Sequence, residues 1–134
     1  MQQFPHDEGR EFIREIDDLV SREAARYILE RGPDLSWVYL EFTDDIGHLY
    51  GDGVEMASAI TLMDANVGRI WRSVQARQLT ENENWLVVIT TDHGRDAETG
   101  KGHGGQSDRE RTIWIVTNGT TLNENFTNLP SIVD

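Results

Sequence analysis

Three short runs of β-branched and aromatic residues set the strongest limit on how this chain can fold. They are Trp37-Val38-Tyr39-Leu40-Glu41-Phe42, Trp85-Leu86-Val87-Val88-Ile89-Thr90-Thr91 and Arg111-Thr112-Ile113-Trp114-Ile115-Val116-Thr117. Such residues favour a pleated backbone, and each run is bounded by turn-forming or polar residues, so each reads as a strand. The first two are almost continuously apolar, which is the pattern of strands covered on both faces. Trp37, Trp71, Trp85 and Trp114 are accordingly expected in the core.

The segments before and between the first two runs have a different period. In residues 10–31, Phe12, Ile13, Ile16, Leu19, Val20, Ala24, Tyr27 and Ile28 recur at steps of three and four, the spacing of one helical face. Gly32-Pro33 then stops the helix. In residues 54–78, Met56, Ala59, Ile60, Met63, Val67, Ile70, Trp71 and Val74 share a second such face. The order helix, strand, helix, strand, strand predicts an α/β fold with a mainly parallel sheet flanked by helices. Residues 1–9 read as a linker, and the tail from 118 reads as a polar loop ending on Ile132-Val133.

Composition narrows the chemistry. Acidic residues outnumber basic ones 24 to 12, a formal net charge of -12. A nucleic-acid polymer is therefore not expected as a partner, because phosphate backbones are bound by clustered Lys and Arg. A small anionic substrate stays compatible, since bound divalent cations reverse the local sign. With no cysteine, a metal site must use imidazole and carboxylate. No apolar run approaches the roughly 20 residues of a membrane span, and the first residues lack the basic-then-apolar pattern of a signal peptide.

In open α/β sheets, ligands bind beyond the carboxyl ends of strands. The first run leads into Thr43-Asp44-Asp45-Ile46-Gly47-His48 and the second into Asp92-His93-Gly94, and the loop after it returns at His103. Singly, each has an ordinary explanation: aspartates form turns, and most histidines are not ligands. Together, Asp44, His48, Asp92, His93 and His103 make a donor set suited to zinc, or to manganese or iron. Three of these histidines neighbour a glycine, which lets backbone approach a site closely. Asp45 reads as a solvated carboxylate or as an acceptor that orients His48. Lys101, Arg109 and Arg111 flank His103 and could contact an anionic substrate, or could form an ordinary charged loop. The triplets beginning at Asn118 and Asn125 match glycosylation acceptors, a pattern common by chance in polar loops.

The ordered set Asp44-x-x-Gly47-His48, Thr91-Asp92-His93-Gly94 and Gly102-His103-Gly104 resembles the alkaline phosphatase superfamily, and within it the type I phosphodiesterase/nucleotide pyrophosphatase branch. Asp64-x-x-Val67-Gly68-x-Ile70 fits that branch too, and Leu129-Pro130-Ser131-Ile132-Val133-Asp134 resembles the start of a segment that continues in relatives. The likeness covers residues 33–134. It implies a partial alkaline phosphatase-like fold and two divalent metal ions, usually zinc. Asp44, His48 and His103 would hold one ion, and Asp92 and His93 would contribute to the other.

The family also uses a further aspartate and a nucleophilic Thr or Ser, both upstream of these motifs. No counterpart precedes them here. Residues 10–134 are therefore expected to be the C-terminal metal-binding portion of such a hydrolase, truncated at both ends, with no catalytic nucleophile and inactive alone. The resemblance implies a hydrolase of phosphate esters, with phosphodiester or nucleotide pyrophosphate bonds and a small phosphate-ester or nucleotide substrate. Alternatives are a phosphomonoesterase, a sulfatase, a phosphoglycerate mutase, or a non-catalytic metal-binding domain. An exposed sheet edge is expected to permit self-association. Likeness to secreted bacterial relatives favours the periplasm or cell surface over the cytoplasm.

Overall fold

The computed structural model describes residues 6–128. Helices dominate it. Helix α1 (Glu11–Arg31) packs along α3 (Val54–Thr80), and the shorter α2 (Phe42–Tyr50) packs against both. Strands β1 (Val88–Thr90) and β2 (Ile115–Thr117) form one small sheet. Single helical turns α4 (Asp108–Arg111) and α5 (Glu124–Thr127) lie before and after β2. No described helix is long and apolar enough to cross a membrane.

Local chemistry explains where the long helices begin and end. Residues 6–9 were read as linker, yet Asp7 caps α1: its Oδ1 accepts from the Glu11 amide and its Oδ2 from the Phe12 amide, both at 3.0 Å. At the other end Gly32 takes a left-handed φ of 53° and donates to the Ile28 carbonyl. The helix faces expected from periodicity meet only in part: Phe12, Ile28, Ala59, Met63 and Val74 are buried, but Tyr27 and Ile60 are exposed, while Asp17, Ser21, Ala25 and Asn66 are buried in addition. Phe42, Ile46, Ala59 and Met63 form a buried cluster, with Ile13 and Leu40 packed against it. A polar seam runs beside this cluster, where Arg69 donates to the Asp18 carboxylate at 2.9 Å and also reaches Ser21.

Helix α2 is held by a residue distant in sequence. The buried Asp17 of α1 accepts from the Phe42 amide at 2.8 Å, satisfying a donor that the first turn leaves free. Burial pushes the Asp17 carboxyl above its ordinary range, and the Phe42 and Glu41 amides pull part of the way back.

The expected mainly parallel sheet is overturned. Its only strands among the described residues are three residues each and pair antiparallel, with Val88 opposite Thr117 and Thr90 opposite Ile115. The first apolar run forms no strand: residues 35–41 are irregular and Phe42 already belongs to α2. In the third run Arg111 ends a helical turn, and only the last three residues are paired. A β-prone run becomes a strand only where another backbone answers its N–H and C=O groups, and composition does not say whether one will. The burial forecast fails with it. Trp37 is 87% exposed and Trp114 53%, so these two are surface residues, whereas Trp71 and Trp85 are half-buried. Residues 1–5 of the foreseen linker and the segment 129–134, with Ile132-Val133, lie outside the described residues.

Candidate metal centre

The site forms where α2 meets the loop that follows β1. Asp44 and His48 lie four residues apart on α2, so they share one helical face. The segment expected to follow a strand end is thus helical. The signal that identifies the helix is Phe42 and Ile46 at the same spacing, both buried, with Gly51 closing the C-terminus. Asp92 and His93 follow β1 after Thr91, and His103 stands at the end of the loop beyond them.

Asp44 is the hub of the geometry. The His48 Nε2 lies 3.2 Å from its Oδ2, while the His93 and His103 Nε2 atoms lie 3.6 and 3.8 Å from its Oδ1. His48 and His103 face each other with their Nε2 atoms 3.1 Å apart. Two imidazole lone pairs repel at that distance unless a proton or a cation lies between them. His93 and His103 are stacked, with ring centroids 3.8 Å apart. One donor atom from each of Asp44, His93 and His103 falls within 4.8 Å of the other two. The described residues thus form one continuous cluster, whereas the family likeness divides the ligands into two sets.

The donor chemistry fits a divalent cation. Tetrahedral zinc with bonds of roughly 2.0–2.1 Å separates neighbouring donors by about 3.3 Å, close to the spacings around Asp44. His93 is already in a suitable tautomer. Its Nδ1 lies 2.9 Å from the Gly94 carbonyl, which can only accept, so Nδ1 carries the proton and Nε2 presents its lone pair towards Asp44. Asp92 stands at the rim. Its side chain is 69% exposed, and its Oδ1 is 3.7 Å from the His93 Nε2.

The flanking charges are engaged as follows. Arg109 pairs with Asp52 and donates to the Asp96 carbonyl at 2.6 Å, tying the loop to the α2–α3 connection. Arg111 pairs with Asp108 within one exposed turn, at 2.6 Å. Among the described residues, the Lys101 ammonium has no ion-pair partner; its backbone carbonyl accepts from Arg95. Asp45 faces Arg10 at 3.9 Å.

The loop carrying His103 is drawn in by Asp96. This carboxylate accepts from the amides of Glu98, Thr99 and Gly102, and these donors hold its pKa well below the ordinary range. Glu110 does the same for the next turn, accepting from the amides of Gly105 and Ser107 in a capping box. Neither carboxylate was singled out in the sequence. The Ser107/Glu110 spacing is a legible signal, whereas Asp96 bonds across a loop and leaves none.

The chain matches the family described as type I phosphodiesterase / nucleotide pyrophosphatase over residues 2–109. That span contains all five candidate ligands as well as Lys101 and Arg109, and Arg111 lies just beyond it. A 63-residue stretch, 46% of the chain, is 38% identical to a protein named alkaline phosphatase PhoD from Zymomonas mobilis. That stretch spans only 10% of the relative's own length. No solved structure matches the chain. A match over most of the chain that takes in the whole ligand cluster shows that this chain belongs to the type I phosphodiesterase / nucleotide pyrophosphatase family.

Proposed function

We propose that this chain is the metal-holding part of a hydrolase acting on phosphodiester or nucleotide pyrophosphate bonds. The observation that carries the reading is the convergence of Asp44, His93 and His103 within 4.8 Å, inside the segment that matches the family. Asp44 would hold the metal through its carboxylate and His93 and His103 through Nε2, with His48 and Asp92 beside them. A bound zinc ion, or manganese or iron in its place, would supply Lewis-acid polarisation of a phosphate oxygen.

The chain's own residues prepare that position. The Gly94 carbonyl sets the tautomer of His93, and the Asp96 carboxylate holds the loop that ends at His103. Lys101, whose ammonium has no ion-pair partner among the described residues, would meet a substrate phosphate, while Arg109 and Arg111 already face aspartates. The Thr91 hydroxyl is used locally, donating to the His93 carbonyl at 3.0 Å. We place the attacking hydroxyl outside this cluster, so the chain alone binds metal and does not turn over. A second reading, phosphomonoester hydrolysis, is supported by the alkaline phosphatase named among its relatives.

The test combines metal content with activity. After zinc loading and dialysis, elemental analysis of the full chain should find about one zinc ion per chain. The same sample should not hydrolyse bis(p-nitrophenyl) phosphate. Absence of stoichiometric metal would sink the reading. Turnover that survives repurification and disappears in His103→Ala would show that the attacking group lies within this chain after all.

A further inference from the structure

Arg95 belongs to none of the motifs, yet its guanidinium makes contacts that span the metal cluster. Its side chain is only 10% exposed. Its Nη2 donates to the Asp44 carbonyl at 2.6 Å and also contacts Asp44 Oδ1, the oxygen that faces His93 and His103. Its Nη1 donates to the Lys101 carbonyl at 3.0 Å, two residues before His103. Arg95 itself lies two residues after His93. One planar fork therefore joins the three chain segments that carry Asp44, His93 and His103.

Space for that fork is provided by Gly47. A Cβ at this position would fall 2.2 Å from the Arg95 Cζ, and the glycine itself is buried in α2, one turn from Asp44. Any larger side chain would require the guanidinium to shift from this position.

We infer that Arg95 is the positioning residue of the metal site: it orients the Asp44 carboxylate and holds the His103 loop against α2. The inference rests on the metal-site reading above. Two effects of Arg95 on a metal ion oppose each other. Its positive charge next to Asp44 repels a second cation and weakens binding. Its fixed fork pre-arranges the donors and strengthens binding, as partners behind metal ligands commonly do. The structure favours the second effect, because three acceptors on two segments are satisfied by one rigid group. Lysine cannot reproduce that arrangement, since its ammonium is a point donor on a flexible stem.

The experiment compares wild type, Arg95→Met and Arg95→Lys as full chains. Zinc affinity is measured by competition with a chromophoric chelator, and the site is also read from the visible spectrum of the cobalt(II) form. Helix content of the metal-free proteins is followed by circular dichroism. Wild type should bind zinc. Arg95→Met should bind about 10- to 100-fold more weakly, with a cobalt spectrum altered in band position and intensity. Arg95→Lys should not restore either property, and if the methionine variant does not fold, the lysine variant decides alone. Affinity and spectrum unchanged in Arg95→Lys, or zinc binding tightened in Arg95→Met, would overturn the inference while leaving the metal site intact. A wild-type chain that binds neither zinc nor cobalt would overturn the metal-site reading and the inference together.

Discussion

At the scale of single residues, Gly94 shows how closely the site is packed. Its amide donates to the Glu110 carbonyl at 2.7 Å, and a Cβ there would fall 2.0 Å from the Arg109 carbonyl oxygen and 2.9 Å from that of Thr112. These are backbone atoms and cannot swing aside. Gly94→Ala should therefore destabilise the protein by about 1–3 kcal/mol, the usual cost of overpacking, and should weaken zinc binding by displacing His93. Urea denaturation of the metal-free protein checks the first effect; an unchanged midpoint would mean the loop shifts freely. The glycines beside His48 and His93 were singled out in the sequence for permitting close approach. What approaches them, the Arg95 guanidinium and the Arg109 carbonyl, comes from residues 48 and 15 positions away, beyond the reach of local pattern.

At the scale of elements, the long helices were legible, while of the three expected strands only short parts of two form, Val88–Thr90 and Ile115–Thr117. Helices α1 and α3 satisfy their own backbone hydrogen bonds, so a repeating apolar face is enough to reveal them. The connection after α3 offers a test of how they are secured. Arg77 donates to Glu83 at 2.7 Å and to the Leu29 carbonyl at 3.0 Å, linking the ends of α3 and α1. Arg77, and then the Trp85 indole, hold the Glu83 carboxyl down to about 2 from an ordinary 4.5. Because the folded pKa is depressed, the stabilisation is complete above 4.5 and is lost as pH falls towards 2. Glu83→Gln should lower the thermal midpoint at pH 7, and its difference from wild type should shrink steadily on acidification through that window. A difference that stays constant down to the acid limit would show that the Glu83 charge contributes nothing. The missed helix α2 shows the converse. Its first residue, Phe42, completes an aromatic run that favours a strand, yet Asp17 on α1 captures its amide and starts a helix.

For the whole molecule, the exposed apolar surface is the main consequence of the fold. Leu35 is 85% exposed, Trp37 87%, Tyr39 54% and Leu86 70%, all on segments outside helix and strand. The two-stranded sheet leaves both of its outer edges unpaired within the sheet. Exposed apolar side chains on backbone that no strand pairs favour association. We expect concentration-dependent self-association through residues 35–40, reduced in a Leu35→Ser/Trp37→Ser double variant. Sedimentation velocity across a range of concentrations measures this, and a wild-type chain that stays monomeric throughout would exclude it.

The sequence by itself determined the two long helices, part of their buried faces and, through the ordered motifs that contain Asp44, His48, Asp92, His93 and His103, the family. Each of these is local, resting on helical period or on residue type at short spacing. Tertiary structure decided the rest. Among the described residues it gave residues 35–41 no strand partner, paired β1 with β2 antiparallel, and drew Asp44 to His93, His103 and Arg95 across 49 to 59 positions of chain. The physical reason is that strands and ligand clusters are completed by groups far away in sequence, and only packing determines which groups arrive.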